Sequence, residues 1–233
     1  MTQRTDETSR QFYARTAGFT MLLYMAVGST AVILHARAGG GEGTHAILMR
    51  IAEHASAVQV AILLELIECF SALVLAVALY RITRDESQEL AMLGLVCRVC
   101  ESVMGAIGIQ HTLGLLWLAK TATGAGAPVA ADALGAFLLM PAQDAMIGAP
   151  FFAVGSMIFA SLMLRGRIVP ASLAWLGVLA SLLLVVGLPL QLAGFFTGSL
   201  TWYLWLPMLA YQIPLGLWLL IKGVALPTSG QSA

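Results

Sequence analysis

Charged side chains are scarce in this sequence: they make up 10% of its 233 residues, against 59% apolar. Soluble domains carry about 25% charged and about 45–50% apolar residues, so a water-solvated globule is excluded and hydrocarbon is the expected solvent. Neither sign is in surplus, with 12 Lys and Arg against 12 Asp and Glu, so there is no basic surface for nucleic acid. Cysteine is sparse too, and Cys69, Cys97 and Cys100 all lie inside apolar runs, which excludes a disulfide framework of extracellular loops. There is no complete catalytic motif, cofactor fingerprint or low-complexity tract, and no cofactor is expected. The two halves share no matching polar positions, so sequence symmetry gives no support to an inverted-repeat transporter.

What is present is a series of apolar runs. A membrane-spanning helix needs about 20 mainly apolar residues, because in hydrocarbon every backbone amide must bond within its own segment. Six segments qualify, at Ala17 to Leu34, Val58 to Tyr80, Leu90 to Leu118, Asp144 to Leu164, Ala171 to Leu192 and Trp202 to Ile221. The first follows arginines and precedes Ala36-Arg37-Ala38, which imitates a cleavable secretory signal. Its length exceeds the roughly 7–15 residues of a signal's apolar region, so it is expected to remain as the first span. The expected organisation is all-α: an N-terminal cytoplasmic segment 1–16, a six-helix transmembrane domain 17–224 and a cytoplasmic tail 225–233. The lipid bilayer is the expected partner.

Orientation follows from basic residues. On the side of the N terminus lie Arg4, Arg10, Arg15, Arg81, Arg84, Arg165, Arg167 and Lys222, and on the other only Arg37, Arg50 and Lys120. Positive charge is retained on the cytoplasmic side, so both termini are expected inside. Trp117, Trp202, Tyr203 and Trp205 gather at the outer boundary, with Tyr80 and Trp218 near the inner one. Two outer connections are long. Residues Ala38 to Ala57 become helix-compatible after a Gly-rich start, with Thr44 as candidate N-cap. Residues Lys120 to Gln143 read as a connector, although Phe137-Leu138-Leu139-Met140 is apolar enough to dip into the outer leaflet.

The informative residues are the charges that hydrocarbon disfavours. The second span contains Glu65 and Glu68, and the third Arg98 and Glu101, each pair three apart and so on one helical face. At about 1.5 Å per residue from the inner ends, Glu68 lies about 18 Å up, Glu65 about 22 Å, Arg98 about 12 Å and Glu101 about 16 Å. An ion pair from Arg98 to Glu68 or Glu101 is expected, and one arginine cannot neutralise three carboxylates. A remaining acid must then be protonated or meet water, a cation or a polar ligand. The competing reading is that the cluster only fixes helix packing. Asp144 reads first as an N-terminal helix charge. Cys97 and Cys100 form a C-x-x-C that, with Cys69 and the glutamates, resembles a soft-metal or redox set, but thiols in apolar helices are normally packing residues, and no metal is assigned. His111 is a further candidate ligand that reads first as a satisfied bundle histidine; His35, His45 and His54 read as outer-surface residues. Pro150, Pro189, Pro207 and Pro214 each remove a backbone donor, and Gln191 and Gln212 near them are candidates to line the space a kink opens.

Taken together, Leu64-Glu65-Leu66 leading to Ala78-Leu79-Tyr80, Arg98 with Glu101, Arg165 to Pro170 followed by Trp175 and Gly177, and the closing Trp218-Leu219-Leu220-Ile221-Lys222-Gly223 resemble a family of bacterial multi-pass membrane proteins known as domain of unknown function 4386. The resemblance runs from about Ala17 to Val224. It implies a six-helix fold in the bacterial inner membrane and no established activity; where Gln212 stands, related chains often carry an acid. The leading reading is a non-enzymatic membrane protein whose Glu65, Glu68, Arg98 and Glu101, with Gln212 and His111 as further candidates, line an intramembrane site for a small apolar or ionic ligand or a proton. The alternatives are an integral-membrane enzyme acting on a lipid or isoprenoid, and a structural or sensory partner subunit.

Overall fold

The computed structural model describes residues 2–41, 43–121, 132–139, 147–195 and 200–224, and among these every regular element is an α-helix. In chain order they are α1 (Thr2–Ala38), α2 (Thr44–Glu53), α3 (Ala55–Thr83), α4 (Gln88–Thr121), α5 (132–139), α6 (Gly148–Arg165), α7 (Ala171–Leu192) and α8 (Leu200–Ile221). Six of them, all but α2 and α5, are long and apolar enough to cross a membrane. The protein is an all-α, multi-pass membrane chain.

Several helices outrun the apolar runs that announce them. The first apolar run covers 17–34, but α1 is 37 residues long. No proline or glycine stands between Thr2 and Ala17, so nothing interrupts the backbone hydrogen bonds where the apolar side chains give out. At 1.5 Å per residue α1 measures about 55 Å, against about 30 Å of bilayer hydrocarbon. Three expectations need correction. Gly43, with no side-chain hydrogen bond, occupies the N-cap of α2, and Thr44 is its first helical residue. Pro150 stands in the first turn of α6, where a missing N–H costs nothing, so it is not a kink. The 137–139 stretch belongs to a helix instead of a plain connector. The fourth span's expected start at Asp144, and the tail 225–233, lie outside the described residues.

The helices fall into two compact units, each built from parts of the long helices. The first comprises Met1–Leu22, Ala72–Cys100 and Ala149–Ala233. Here glycines bring helices into backbone contact: a side chain at Gly18 of α1 would run into Gly216 and Leu220 of α8, and one at Gly177 of α7 into the Tyr211 ring of α8. At the N-terminal end of α1, Arg10 Nη2 donates to the Ile82 carbonyl at 3.1 Å. Gln11 donates to the Val224 carbonyl at 2.8 Å and accepts from the Val224 amide at 3.3 Å. The Arg81 guanidinium lies 4.9 Å from the centre of the Tyr13 ring. The start of α1 is thereby tied to the ends of α3 and α8.

The second unit comprises Leu23–Ser71 and Glu101–Gly148. Its core joins Ala38 of α1, Leu48 and Ile51 of α2, Val58 of α3 and Leu115, Leu116, Leu118 and Ala119 of α4, with Leu138 and Leu139 of α5 packed against it.

Helix ends in the first unit use left-handed residues of two types. At the end of α7 the Phe195 amide reaches back to Leu190 O at 3.0 Å, with Gly194, the residue before it, at φ 80°. At the end of α8 the Gly223 amide reaches Trp218 O at 3.1 Å, and here the donor residue itself is at φ 72°. Left-handed φ suits glycine because it has no Cβ to clash. After α6 the turn seen at α7, with Ile168 N bonded to Met163 O at 3.0 Å, places Arg167 at φ 48°. A non-glycine residue there costs about 1–2 kcal/mol. Arg167→Gly is therefore expected to stabilise the purified protein by about 1 kcal/mol and Gly194→Ala to destabilise it by a similar amount. Equilibrium unfolding in detergent measures both, and equal stabilities across the three proteins would refute the account.

Candidate functional site

Within the second unit, one face of α1 meets the acidic residues of α3 and α4. Tyr24, Gly28, Ala31 and His35 recur at intervals of four, three and four residues, which aligns them along a single stripe of an α-helix. The Tyr24 hydroxyl donates to Glu101 Oε1 at 3.0 Å. One turn on, the Glu68 carboxylate rests on Gly28, where a Cβ would come within 2.5 Å of Oε1 and 2.8 Å of Cδ. Two turns beyond that, His35 Nε2 lies 2.7 Å from Glu65 Oε1, a length typical of charge-assisted hydrogen bonds. The three contacts are strung along α1 at steps of about 6 Å and about 10.5 Å.

Each partner suits its acid. Tyrosine offers a donor at the tip of an apolar ring, histidine offers N–H whether neutral or charged, and glycine leaves room for a carboxylate to lie on the helix backbone. The Ser102 hydroxyl donates to the Cys69 carbonyl at 2.7 Å, joining α4 to α3. Glu68 and Glu101 have further partners. Glu65 differs: its second oxygen, Oε2, is buried with no hydrogen-bond partner among the described residues. The Glu65 and His35 side chains are 24% and 31% exposed.

The structure brings Glu65, Glu68 and Glu101 together and adds three residues that sequence reasoning missed. His35, read as an outer-surface residue, is the Glu65 partner, because α1 remains helical as far as Ala38. Tyr24 and Gly28 looked like ordinary members of an apolar run; their spacing with His35 was the available signal. Of the other candidates, Arg98 stands one turn before Glu101 on α4, in the part assigned to the first unit, and is 2% exposed, its guanidinium 4.9 Å from the centre of the Phe152 ring and its stem packed on Gly155. Arg98, too, has further partners. Gln212 is a buried residue of α8 in the same unit. His111 lies ten residues beyond Glu101, about 15 Å along α4, and its Nδ1 is 3.3 Å from the Ile107 carbonyl of its own helix. Cys69, Cys97 and Cys100 are free thiols. Among the described residues no three His, Cys, Asp or Glu side chains are grouped to hold a metal ion.

Comparison with known proteins gives a family. The model of the family described as Domain of unknown function (DUF4386) matches residues 16–223, and the chain belongs to that family. No curated protein and no solved structure matches the chain.

The α1 contacts make separable predictions. Gly28→Ala puts a methyl group where the Glu68 carboxylate lies, so Glu68 must move and stability should fall by about 1–3 kcal/mol; the double variant Gly28→Ala/Glu68→Ala should recover much of that loss. Tyr24→Phe removes one bond to a carboxylate and should cost about 1.5–3 kcal/mol. Thermal unfolding of the purified variants measures these costs. Additive effects at Gly28 and Glu68 would show that the two do not touch.

Proposed function

We propose that this protein is a non-enzymatic, multi-pass protein of the bacterial inner membrane, with both termini cytoplasmic, that binds a proton or a small cation at the acidic stripe of Glu65, Glu68 and Glu101 against α1. The observation that carries this reading is the arrangement itself: three carboxylates in apolar, membrane-spanning helices converge on one helix face whose contributions are a hydroxyl, a glycine and an imidazole. An ionised carboxylate in hydrocarbon costs at least about 2.5–3.5 kcal/mol, and hydrogen-bond donors reduce that cost without cancelling the charge. Three glutamates outnumber Arg98, the one guanidinium within the six apolar runs, and protons and small cations are ligands that neutralise the excess. Glu65 is the expected point of binding, since its Oε2 has no hydrogen-bond partner among the described residues. Family membership supports the membrane setting and assigns no activity.

Thermal unfolding in detergent tests the reading, with lithium, sodium or potassium chloride replacing choline chloride at constant ionic strength, and separately across pH. A ligand at 100 times its Kd stabilises the folded state by about 2.7 kcal/mol. The unsubstituted protein should gain stability from protons or one of these cations. Glu65→Gln and Glu68→Gln should unfold cooperatively and lose that gain. If neither ions nor pH affect the unsubstituted protein differently from the variants, the stripe is a packing device and the reading fails.

A further inference from the structure

A second observation concerns α5, which takes no part in the acidic stripe. A side chain at Gly135 of α5 would meet Leu118 of α4 at 3.5 Å, and one at Gly114 of α4 would meet Leu138 of α5 at 3.3 Å. Three residues forward along α5 thus correspond to four residues back along α4, so the two helices run antiparallel. From the first contact to the second α5 advances about 4.5 Å along α4, away from that helix's C-terminal end. Gly114 lies seven residues, about 10 Å, before the end of α4 at Thr121. Polarity changes in the same direction. Asp132 opens α5 and lies 3.6 Å from the well-exposed His45 of α2, whereas Leu138 and Leu139 at its far end pack on the apolar core of the unit.

The other side of α5 is apolar and uncovered. Leu134 is 44% and Phe137 61% exposed, one turn apart on the same face. The neighbouring stretch of α4, around Gly114, exposes Leu113 at 49% and Trp117 at 63%. The apolar surface of α5 therefore continues the surface that a membrane-spanning helix turns outward, at the level where a tryptophan marks the bilayer boundary.

We propose that α5 is a lipid-contacting helix whose Leu134 and Phe137 face meets acyl chains in the leaflet at the C-terminal end of α4. The occupant is lipid because the exposed side chains are apolar throughout and continuous with the spanning surface of α4, while the one charged residue of α5 sits at its opening end beside a histidine.

Site-directed spin labelling in phosphatidylcholine and phosphatidylglycerol vesicles tests the proposal. Ala133, Leu134, Ala136 and Phe137 are replaced singly by cysteine in the full chain, with the unsubstituted protein labelled in parallel to report the background from its own thiols. Labels at 134 and 137 should be relaxed by oxygen, which partitions into hydrocarbon, in preference to a water-soluble nickel chelate, and more strongly at 137 than at 133. Phe137→Trp supplies a label-free check, since brominated acyl chains should quench its added fluorescence. Position 137 being as open to nickel as position 133 would make α5 a surface connector. Shielding of 134 and 137 from both reagents would make this face a protein interface. Either result overturns the proposal.

Discussion

Hydrocarbon cannot solvate a carboxylate, and the second unit is organised around that constraint. A glutamate in the middle of a span must find its donors in protein, and the donors must come from another helix because its own backbone amides are already bonded. Here α1 supplies them. Glu101 takes the Tyr24 hydroxyl, Glu65 takes the His35 ring, and Glu68 lies where Gly28 leaves the helix surface bare. Apolar packing alone would leave α1 free to rotate about its axis, since one lipid-compatible face is much like another. Two hydrogen bonds and one close approach, on a stripe from Tyr24 to His35, remove that freedom.

The same reasoning separates what could be read in the sequence from what could not. The spans were legible because hydrocarbon demands long apolar runs, and α7 was placed end to end because Pro170 precedes it and a glycine turn follows it. The end of α8 at Ile221 was legible too, whereas the ends of α1, α3 and α4 were not. Apolar periodicity stops at the edge of the hydrocarbon, whereas backbone hydrogen bonding continues until a residue interrupts it, and nothing interrupts α1 before Ala38. The acids were conspicuous because charge is rare here. Their partners were hidden: Tyr24 is an aromatic in an apolar run, Gly28 is one small residue among many, and His35 stands beside Arg37 and so passed for a surface residue.

Helix ends show how one chain answers two demands. Glycine ends α7 and α8 because left-handed φ is nearly free for it. After α6 the turn seen at α7 carries Arg167, where the backbone preference is overruled. A cationic side chain near a helix C terminus interacts favourably with the exposed carbonyl dipoles, by about 0.3–1 kcal/mol, and it also adds to the positive charge flanking the spans. These gains are comparable to the cost of the backbone conformation, so an arginine can hold a place that geometry alone would give to glycine.

The arrangement also decides how a site of this kind can work. Each of the three acids meets a different position of the same helix. A ligand that takes over one carboxylate therefore competes with only one α1 contact and leaves the other two in place. At Glu65, Oε1 can keep its bond to His35 while Oε2, which has no hydrogen-bond partner among the described residues, receives the newcomer. At Glu101 a newcomer competes with the Tyr24 bond, and at Glu68 it meets a carboxylate already seated against the α1 backbone. The acids are chemically identical, so what distinguishes them on this face is the position of α1 that each one meets.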